Sequence, residues 1–317
     1  MYYLGVDVGG TNLVAGIVDE DGTLLGTVST PTRGDRPARA LCEDIFRICS
    51  EVADKIPIRR QEIASVGMGF PGEINRDTGV VVDTPNAPFH NTNIRKFFQE
   101  QWNLPVYLEN DGNCAAVGEY WAGAAKGCSS AIIVTLGTGI GGGILDGDRL
   151  LLGVNGAAGE IGHMVIETGG LQCNCGRKGC WETYASATGL VRMTCEAMAA
   201  HPESTLCATP AQRVEGRTVF DCALGGDATA NAVVAQYVTY LAAGITNLVN
   251  IFQPEVICLG GGISNAPETL LLTPLRELVA RERYTRGSGG QTAILRAALG
   301  NDAGIIGAAM LGKLRQN

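Results

Sequence analysis

A chain of 317 residues exceeds one ordinary hydrophobic core and fits two domains of usual size, which implies a cleft. Its 45% hydrophobic and 18% charged residues are those of a soluble globular protein, and 44 glycines announce many tight turns. A net charge of −8 works against a broad phosphate-backbone footprint, so no nucleic acid partner is expected and a small anionic ligand needs local help.

Met1 to Asp7 carries neither a basic leader nor an apolar h-region and reads as a strand, so no export signal is expected. The runs Tyr2 to Asp7, Leu13 to Val18 and Leu24 to Ser29 are separated by Gly9-Gly10-Thr11 and Asp19-Glu20-Asp21-Gly22, which predicts three antiparallel strands. Pro37 to Lys55 has apolar residues at helical spacing, and Ile63 to Phe70 returns to a β-rich run. Val106 to Glu109 reads as a strand running into a helix from Gly112 to Ala122, so Asp111 falls at a strand-to-helix junction, where α/β sites gather.

From Ser130 the opening pattern returns, with Ala131 to Leu136 as strand, Gly137 to Gly143 as glycine turn and Ile144-Leu145 as strand, so the chain reads as two similar halves. Ala131 to Leu145 is taken as the longest uncharged stretch; it is shorter than the ~20 residues of a membrane helix and broken by glycine, so no membrane span is expected. Gly153 to Glu182 reads as an irregular segment in need of a staple. Leu190 to Ala200, Ala228 to Phe252 and Ala303 to Leu314 read as helices, and Val256 to Leu259 as a buried strand entering Gly260-Gly261-Gly262. Eleven cysteines without a leader indicate a reducing, cytoplasmic compartment, with thiols free or metal-bound. Cys42 and Cys222 lie in helical patterns and read as core.

The turn Asp7-Val8-Gly9-Gly10-Thr11-Asn12 follows a strand-end carboxylate with residues able to present bare N–H groups to phosphate oxygens. Gly137-Thr138-Gly139-Ile140-Gly141-Gly142-Gly143 offers the same with a hydroxyl. Either turn alone reads more readily as an ordinary hairpin; their recurrence in both halves reverses that preference towards a phosphate role. The second also fits Gly-x-Gly-x-x-Gly, but a dinucleotide fingerprint opens a helix and Ile144-Leu145-Asp146 continues as strand, which disfavours a dehydrogenase. No P-loop lysine motif is present, so N–H groups and Mg²⁺ must carry the phosphate charge. Asp7 suits Mg²⁺ through water, since Mg²⁺ keeps several waters and takes few carboxylates.

His163, Cys173, Cys175 and Cys180 supply an imidazole and three thiolates within one short window, a full tetrahedral set for zinc. With four protein ligands no position stays open for water, so a structural Zn²⁺ is expected and a zinc hydrolase is not. Glu160 and Glu182 flank these ligands, and carboxylates suit sugar hydroxyls. In Glu109-Asn110-Asp111 the types also suit a helix cap. As a catalytic group, Asp111 would take a hydroxyl proton late, in a loose phosphoryl-transfer transition state.

Taken together, Asp7-Val8-Gly9-Gly10-Thr11, Glu109-Asn110-Asp111, the Leu136 to Gly143 turn, Glu160-Ile161-Gly162-His163 and Cys173-Asn174-Cys175-Gly176-Arg177-Lys178-Gly179-Cys180-Trp181-Glu182 resemble the ROK family of sugar kinases and repressors, over nearly the whole chain. The resemblance implies an α/β fold of the actin-like ATPase, ribonuclease H-like kind, with two lobes, each a mixed sheet flanked by helices. Residues 1–110 would form a small lobe closed by the C-terminal helix 303–317, and 111–302 a large lobe carrying the zinc-binding segment 153–182.

The resemblance further implies an ATP-dependent hexose kinase. Asp111 would be the base acting on the sugar 6-hydroxyl, and Asn110, Glu160, His163 and Glu182 would bind other hydroxyls. Gly72 and Asn86 are similar to sugar-pocket positions. Gly9, Gly10, Thr11, Thr138 and Gly139 would hold phosphates, with Asp7 and Asn12 at the ATP and Mg²⁺ site and Gly261 and Gly262 at the adenosine end. Gly112 and Cys114 stand where the family usually has alanine, which implies altered packing and not lost chemistry. Glucose, giving glucose 6-phosphate and ADP, is the expected substrate; N-acetylglucosamine, N-acetylmannosamine, mannose and fructose are alternatives, and polyphosphate replaces ATP in some relatives. Repressors of the family carry a helix-turn-helix domain ahead of the kinase part, whereas this chain starts at the first kinase strand, so a sugar-responsive repressor is the distant alternative. A homo-oligomer, dimer or tetramer, is expected from relatives.

Overall fold

The computed structural model describes residues 1–84, 87–287 and 289–314. Its first strand, β1 (Tyr2–Val8), fully buries Leu4, Val6 and Val8 and is interior to a sheet, as a strand apolar at most positions must be. β2 (Asn12–Asp19) and β3 (Leu24–Pro31) follow antiparallel, as the turn signals require. α1 (Ala38–Lys55) turns Leu41, Ile45, Ile48 and Val52 to the core and supplies the crossover that a parallel neighbour needs. β4 (Ile63–Phe70) then pairs parallel with β1.

A small antiparallel sheet of β5 (Glu73–Asn75), β6 (Val80–Asp83) and β7 (His90–Asn93), followed by α2 (Ile94–Gln101), precedes β8 (Val106–Asn110). β8 pairs parallel with β4, completing the order β3-β2-β1-β4-β8. Phe70 and Phe89 meet edge to face at 5.4 Å in the core beneath. These small elements carry few apolar residues in phase, and only their packing makes them regular.

α3 (Asp111–Ala122) begins directly at the end of β8. β9 (Ser130–Leu136), β10 (Ile140–Asp146) and β11 (Arg149–Leu150) come next. Between residues 151 and 181 the chain is irregular apart from a short turn at Ile161–His163, as its composition predicts. α4 (Glu182–Ala185), α5 (Ala187–Ala200), α6 (Gly216–Leu224), α7 (Ala228–Phe252), β12 (Val256–Gly260), α8 (Leu272–Glu282), β13 (Ala293–Arg296) and α9 (Ala303–Leu314) complete the chain. The second five-stranded sheet, β11-β10-β9-β12-β13, repeats the strand order of the first, which is the duplication expected from the two glycine turns.

The longest uncharged run is not Ala131 to Leu145 but the one that forms α7, which is long and apolar enough to cross a membrane by length and composition. Yet most of its apolar stretch is buried within the protein, and Val234, Tyr237, Leu241 and Ile245 are core positions. Cys42 is buried as expected, but Cys222 in α6 is only half-buried.

The chain divides into two compact units, Met1–Ile133 with Gly143–Gly159 and Ala297–Asn317, and Val134–Gly142 with Glu160–Arg296. This differs from a boundary at residues 110 and 111, because α3 packs against α9 and stays with the N-terminal sheet. Two close approaches explain why. A Cβ on Gly67 of β4 would strike the Ala308 carbonyl of α9, and one on Gly307 of α9 would strike the Cys114 carbonyl of α3. The buried Glu119 of α3 then accepts from Ala124 N, Ala298 N and Leu299 N at 2.7–3.0 Å, fixing the approach to α9. In the second unit the Trp181 indole is fully buried and donates to Tyr240 O at 2.9 Å, and Tyr237 Oη donates to Ala185 O at 2.9 Å.

Candidate active site and metal cluster

In the first unit the β1–β2 turn is held from outside the hairpin. Gly9 N donates to Asn12 O at 3.0 Å, while the buried Thr32 donates from its hydroxyl to Gly9 O at 2.6 Å and from its N–H to Thr11 O at 2.8 Å. Gly10, Thr11 and Asn12 remain exposed. Thr32 carries no motif, so its part in shaping this turn is not legible in the sequence.

Asp7, half-buried near the end of β1, lies beside Gly304 in the first turn of α9. Burial pushes its carboxyl up to about 6, and the nearby Asp111 carboxylate pushes in the same direction. Asp111 keeps access to solvent, yet the surrounding protein desolvates its carboxyl and raises its pKa, against the lowering effect of the Gly112 N–H that it accepts at 2.8 Å. The raised pKa makes Asp111 a stronger proton acceptor than a free aspartate.

The residues before it are occupied structurally. Asn110 Oδ1 caps α3, accepting from Gly112 N at 2.9 Å and Asn113 N at 3.3 Å. That commits its oxygen and leaves Nδ2 as the group able to donate elsewhere. Glu109 is 2% exposed and accepts from Arg76 through Nε at 2.6 Å and through Nη2, and also from Asn110 N and Asn113 Nδ2, both at 2.9 Å. Arg76 and Asn113 had no sequence signal. Gly72 follows β4 with φ of +104°, and a side chain there would strike the Asp83 carbonyl. Asn86 lies outside the described residues.

In the second unit the Gly137 to Gly139 turn is tied to α5. Ala187 N donates to Gly137 O at 2.9 Å and Thr188 Oγ1 to Thr138 O at 2.8 Å. Thr138 and Gly262 border one cavity of about 580 Å³, together with Ala187, Phe220, Ile263 and Ala266. Gly261, at φ of +83°, lets the chain leave β12 against the backbone of Leu136, where a Cβ would collide. Glu215 and Asn265 also line the cavity, and neither belongs to a glycine motif.

His163, Cys173, Cys175 and Cys180 present ligand atoms all within 4.8 Å of one another. Cys173 Sγ lies 3.7 Å from His163 Nδ1, and Cys175 Sγ lies 3.6 Å from Cys180 Sγ. Tetrahedral zinc with Zn–S near 2.3 Å needs ligand separations of about 3.5–3.8 Å, so the cluster could close around such an ion. Burial pushes the Cys173 thiol up to about 12, while the Arg177 backbone N–H lowers Cys175. A metal reverses that preference by demanding thiolates.

Glu182 touches both features of this unit. Its Oε1 accepts from Cys173 Sγ at 3.2 Å and lies 3.6 Å from His163 Nδ1, while Oε2 accepts from Ile140 N at 3.3 Å, beside the glycine turn. Glu160, just ahead of the Ile161–His163 turn, is exposed. Among the predicted residues, Asp7, Gly9, Gly10, Thr11, Asn12, Gly72, Asn110 and Asp111 thus belong to the first unit, and Thr138, Gly139, Glu160, His163, the three cysteines, Glu182, Gly261 and Gly262 to the second.

Similarity to known proteins extends over the whole chain. The glucokinase of Halalkalibacterium halodurans is 38% identical, with 100% of this chain and 96% of that protein covered. The ROK family glucokinase of Streptomyces griseus, solved with glucose and AMPPNP, superposes with a TM-score of 0.79 at 34% identity, covering 100% of both chains. The ROK hexokinase of Thermus thermophilus gives 0.84 at 34% identity, again over 100% of both. The mixed α/β sheets are accordingly those of the actin-like ATPase fold of such sugar kinases. The ROK family model matches residues 3–315, and the chain belongs to the ROK family.

Proposed function

We propose that the protein is an ATP-dependent glucokinase, transferring the γ-phosphoryl group of ATP to the 6-hydroxyl of glucose and releasing glucose 6-phosphate and ADP. The observation that carries this reading is Asp111, a solvent-accessible carboxylate with a raised pKa at a strand-to-helix junction, in a chain similar to glucokinases along its whole length. A sugar hydroxyl is too weak an acid to ionise beforehand, so the base accepts its proton as the loose transition state transfers the phosphoryl group. Positioning and charge stabilisation then supply most of the catalysis.

In this reading Asn110 Nδ2, Glu160, His163 and Glu182 hold sugar hydroxyls, with Gly72 and Asn86 at the sugar pocket. The exposed N–H groups at Gly10 and Thr11, with Gly9, Asn12, Thr138 and Gly139, hold phosphates. The cavity bordered by Gly262, with Gly261 beside it, takes the adenosine end. Mg²⁺ accompanies ATP and is held by Asp7 through water.

His163, Cys173, Cys175 and Cys180 would hold Zn²⁺, which supplies closure of the irregular segment and no open coordination position. With Zn²⁺ held there, Cys173 would be a thiolate with its proton released to solvent, and Glu182 Oε1 would be free to accept from a sugar hydroxyl. The same reading includes a cytoplasmic homo-oligomer, dimer or tetramer, with no nucleic acid or membrane partner; light scattering of the purified protein tests the oligomer.

A sugar panel with coupled ADP detection tests the function. Glucose should give the highest kcat/KM, ahead of mannose, fructose, N-acetylglucosamine and N-acetylmannosamine, with ATP preferred over polyphosphate. Preference for an N-acetylhexosamine would reassign the substrate, and no turnover with any sugar would remove the kinase reading.

A further inference from the structure

We propose that the buried ion pair between Arg76 and Glu109 is a positioning device for the catalytic base: it sets the direction of Asp111 by fixing the junction that carries it. This rests on the reading of Asp111 as the base. The pair is almost fully enclosed, with side chains 10% and 3% exposed. Arg76 reaches Glu109 from the end of β5, 33 residues earlier in the chain, and grips both carboxylate oxygens through Nε and Nη2. A two-pronged contact of this kind fixes orientation as well as distance.

What Glu109 does with its remaining capacity is the core of the inference. Its Oε1 accepts from the backbone N–H of Asn110 and from Asn113 Nδ2, each at 2.9 Å. Asn110 in turn caps α3 with its own side chain. One carboxylate therefore holds Asn110 at the end of β8 and Asn113 in the first turn of α3, and Asp111 lies with Gly112 between these two anchors. Arg76 Nη2 also donates to Gly156 O at 3.3 Å, which restrains the stretch leading in sequence to Glu160.

Stability alone does not account for such a pair. Replacing a buried ion pair by apolar groups is often neutral or stabilising, whereas removing one partner leaves an uncompensated charge. A directional role explains the fork geometry and the use of Glu109 on a backbone N–H next to the base. Misplacement of a reacting group by about 1 Å can cost on the order of 10²-fold in rate.

The test compares Arg76→Met, Arg76→Lys and the double variant Arg76→Met/Glu109→Met in the full chain. Arg76→Met should lower kcat by about 10–10²-fold while KM for MgATP stays within about twofold. Arg76→Lys keeps the charge but not the fork, and its kcat should fall between wild type and Arg76→Met. The double variant should recover the wild-type melting temperature without recovering kcat, and it decides the matter if Arg76→Met does not fold. Recovery of kcat together with stability would overturn the proposal, as would wild-type kcat in Arg76→Met. Asp111→Asn is measured alongside. Its retaining full turnover would remove the base reading itself, whereas its inactivity beside a fully active Arg76→Met removes only the positioning role.

Discussion

The Glu109 to Asp111 junction and the Gly153 to Glu182 segment both carry predicted substrate residues, yet they are ordered by opposite means. At the junction a buried parallel strand meets a capped helix, and every residue is placed by backbone pairing, a cap and a buried ion pair. In the segment one short helical turn and two isolated bridges, Val165 with Cys180 and Gln172 with Lys178, are the regular features, and a four-ligand cluster gathers the rest. The first needs no ligand to hold its geometry. The second draws its order from side chains that a metal would join. On the proposed function, the carboxylate to be aimed sits on regular structure, and the polar groups proposed to face a sugar sit in a segment that the cluster would staple.

The largest expected effect separates chemistry from architecture at the junction. Asp111→Asn should lower kcat by about 10²–10⁴ with glucose still binding in calorimetry, because shape is kept and the proton acceptor is lost. Wild-type turnover in that variant would leave the junction a purely structural feature.

Next in size, Cys175→Ser should abolish stoichiometric zinc and cost several kcal/mol locally, since the binding energy of a structural metal is folding energy. Hydrogen exchange should then rise across residues 153–182 while amides of β8 and α3 keep their protection. Equal loosening of both regions would break the contrast drawn between them.

A smaller effect follows from Asp7. Its carboxyl is raised to about 6 from an ordinary 3.8, so the folded chain favours the neutral form, while Mg²⁺ favours the charged one. Affinity for MgATP should fall as pH drops through about 6, by nearly tenfold per unit below it. For stability the sign is opposite: the folded state without ligand gains from this group as pH falls from about 6 towards 3.8, and that gain is lost as pH rises again. Nucleotide titrations and melting curves between pH 5 and 8 check both, and Asp7→Asn should flatten each. An unchanged pH dependence in Asp7→Asn would move the metal contact elsewhere.

The smallest effect concerns the cap. Asn110→Ala should cost about 1 kcal/mol of stability, read from thermal melts, because two α3 N–H groups lose their acceptor. No loss would mean that the Glu109 contacts alone hold the junction.

Much of this was open to reading from residue types. Gly9-Gly10-Thr11 between apolar runs predicts a hairpin, and the run into Gly112 places Asp111 at a helix start within one residue of the observed α3. The small β5–β7 sheet and α2 are not legible in the sequence, because their few apolar residues are in phase only when packed on the rest. α7 is legible as a helix, but composition alone does not separate a core helix from a membrane span; its burial decides that it serves as core.

The sequence by itself determined the contacts that are local in the chain: the three cysteines and the histidine gathered in one stretch, the two glycine turns, the capping types at Asn110. Spacing suffices there, since a turn or a hairpin brings near neighbours together whatever else the chain does. Only the tertiary structure decided that Arg76 grips Glu109, that Thr32 shapes the first glycine turn from 23 residues away, that Glu182 bridges the metal cluster to Ile140, and that Asp7 and Asp111 are near enough for one charge to act on the other. These depend on which strands become neighbours and on how much water is excluded around a carboxylate. Strand order and desolvation are properties of the packed chain, and no local pattern encodes them.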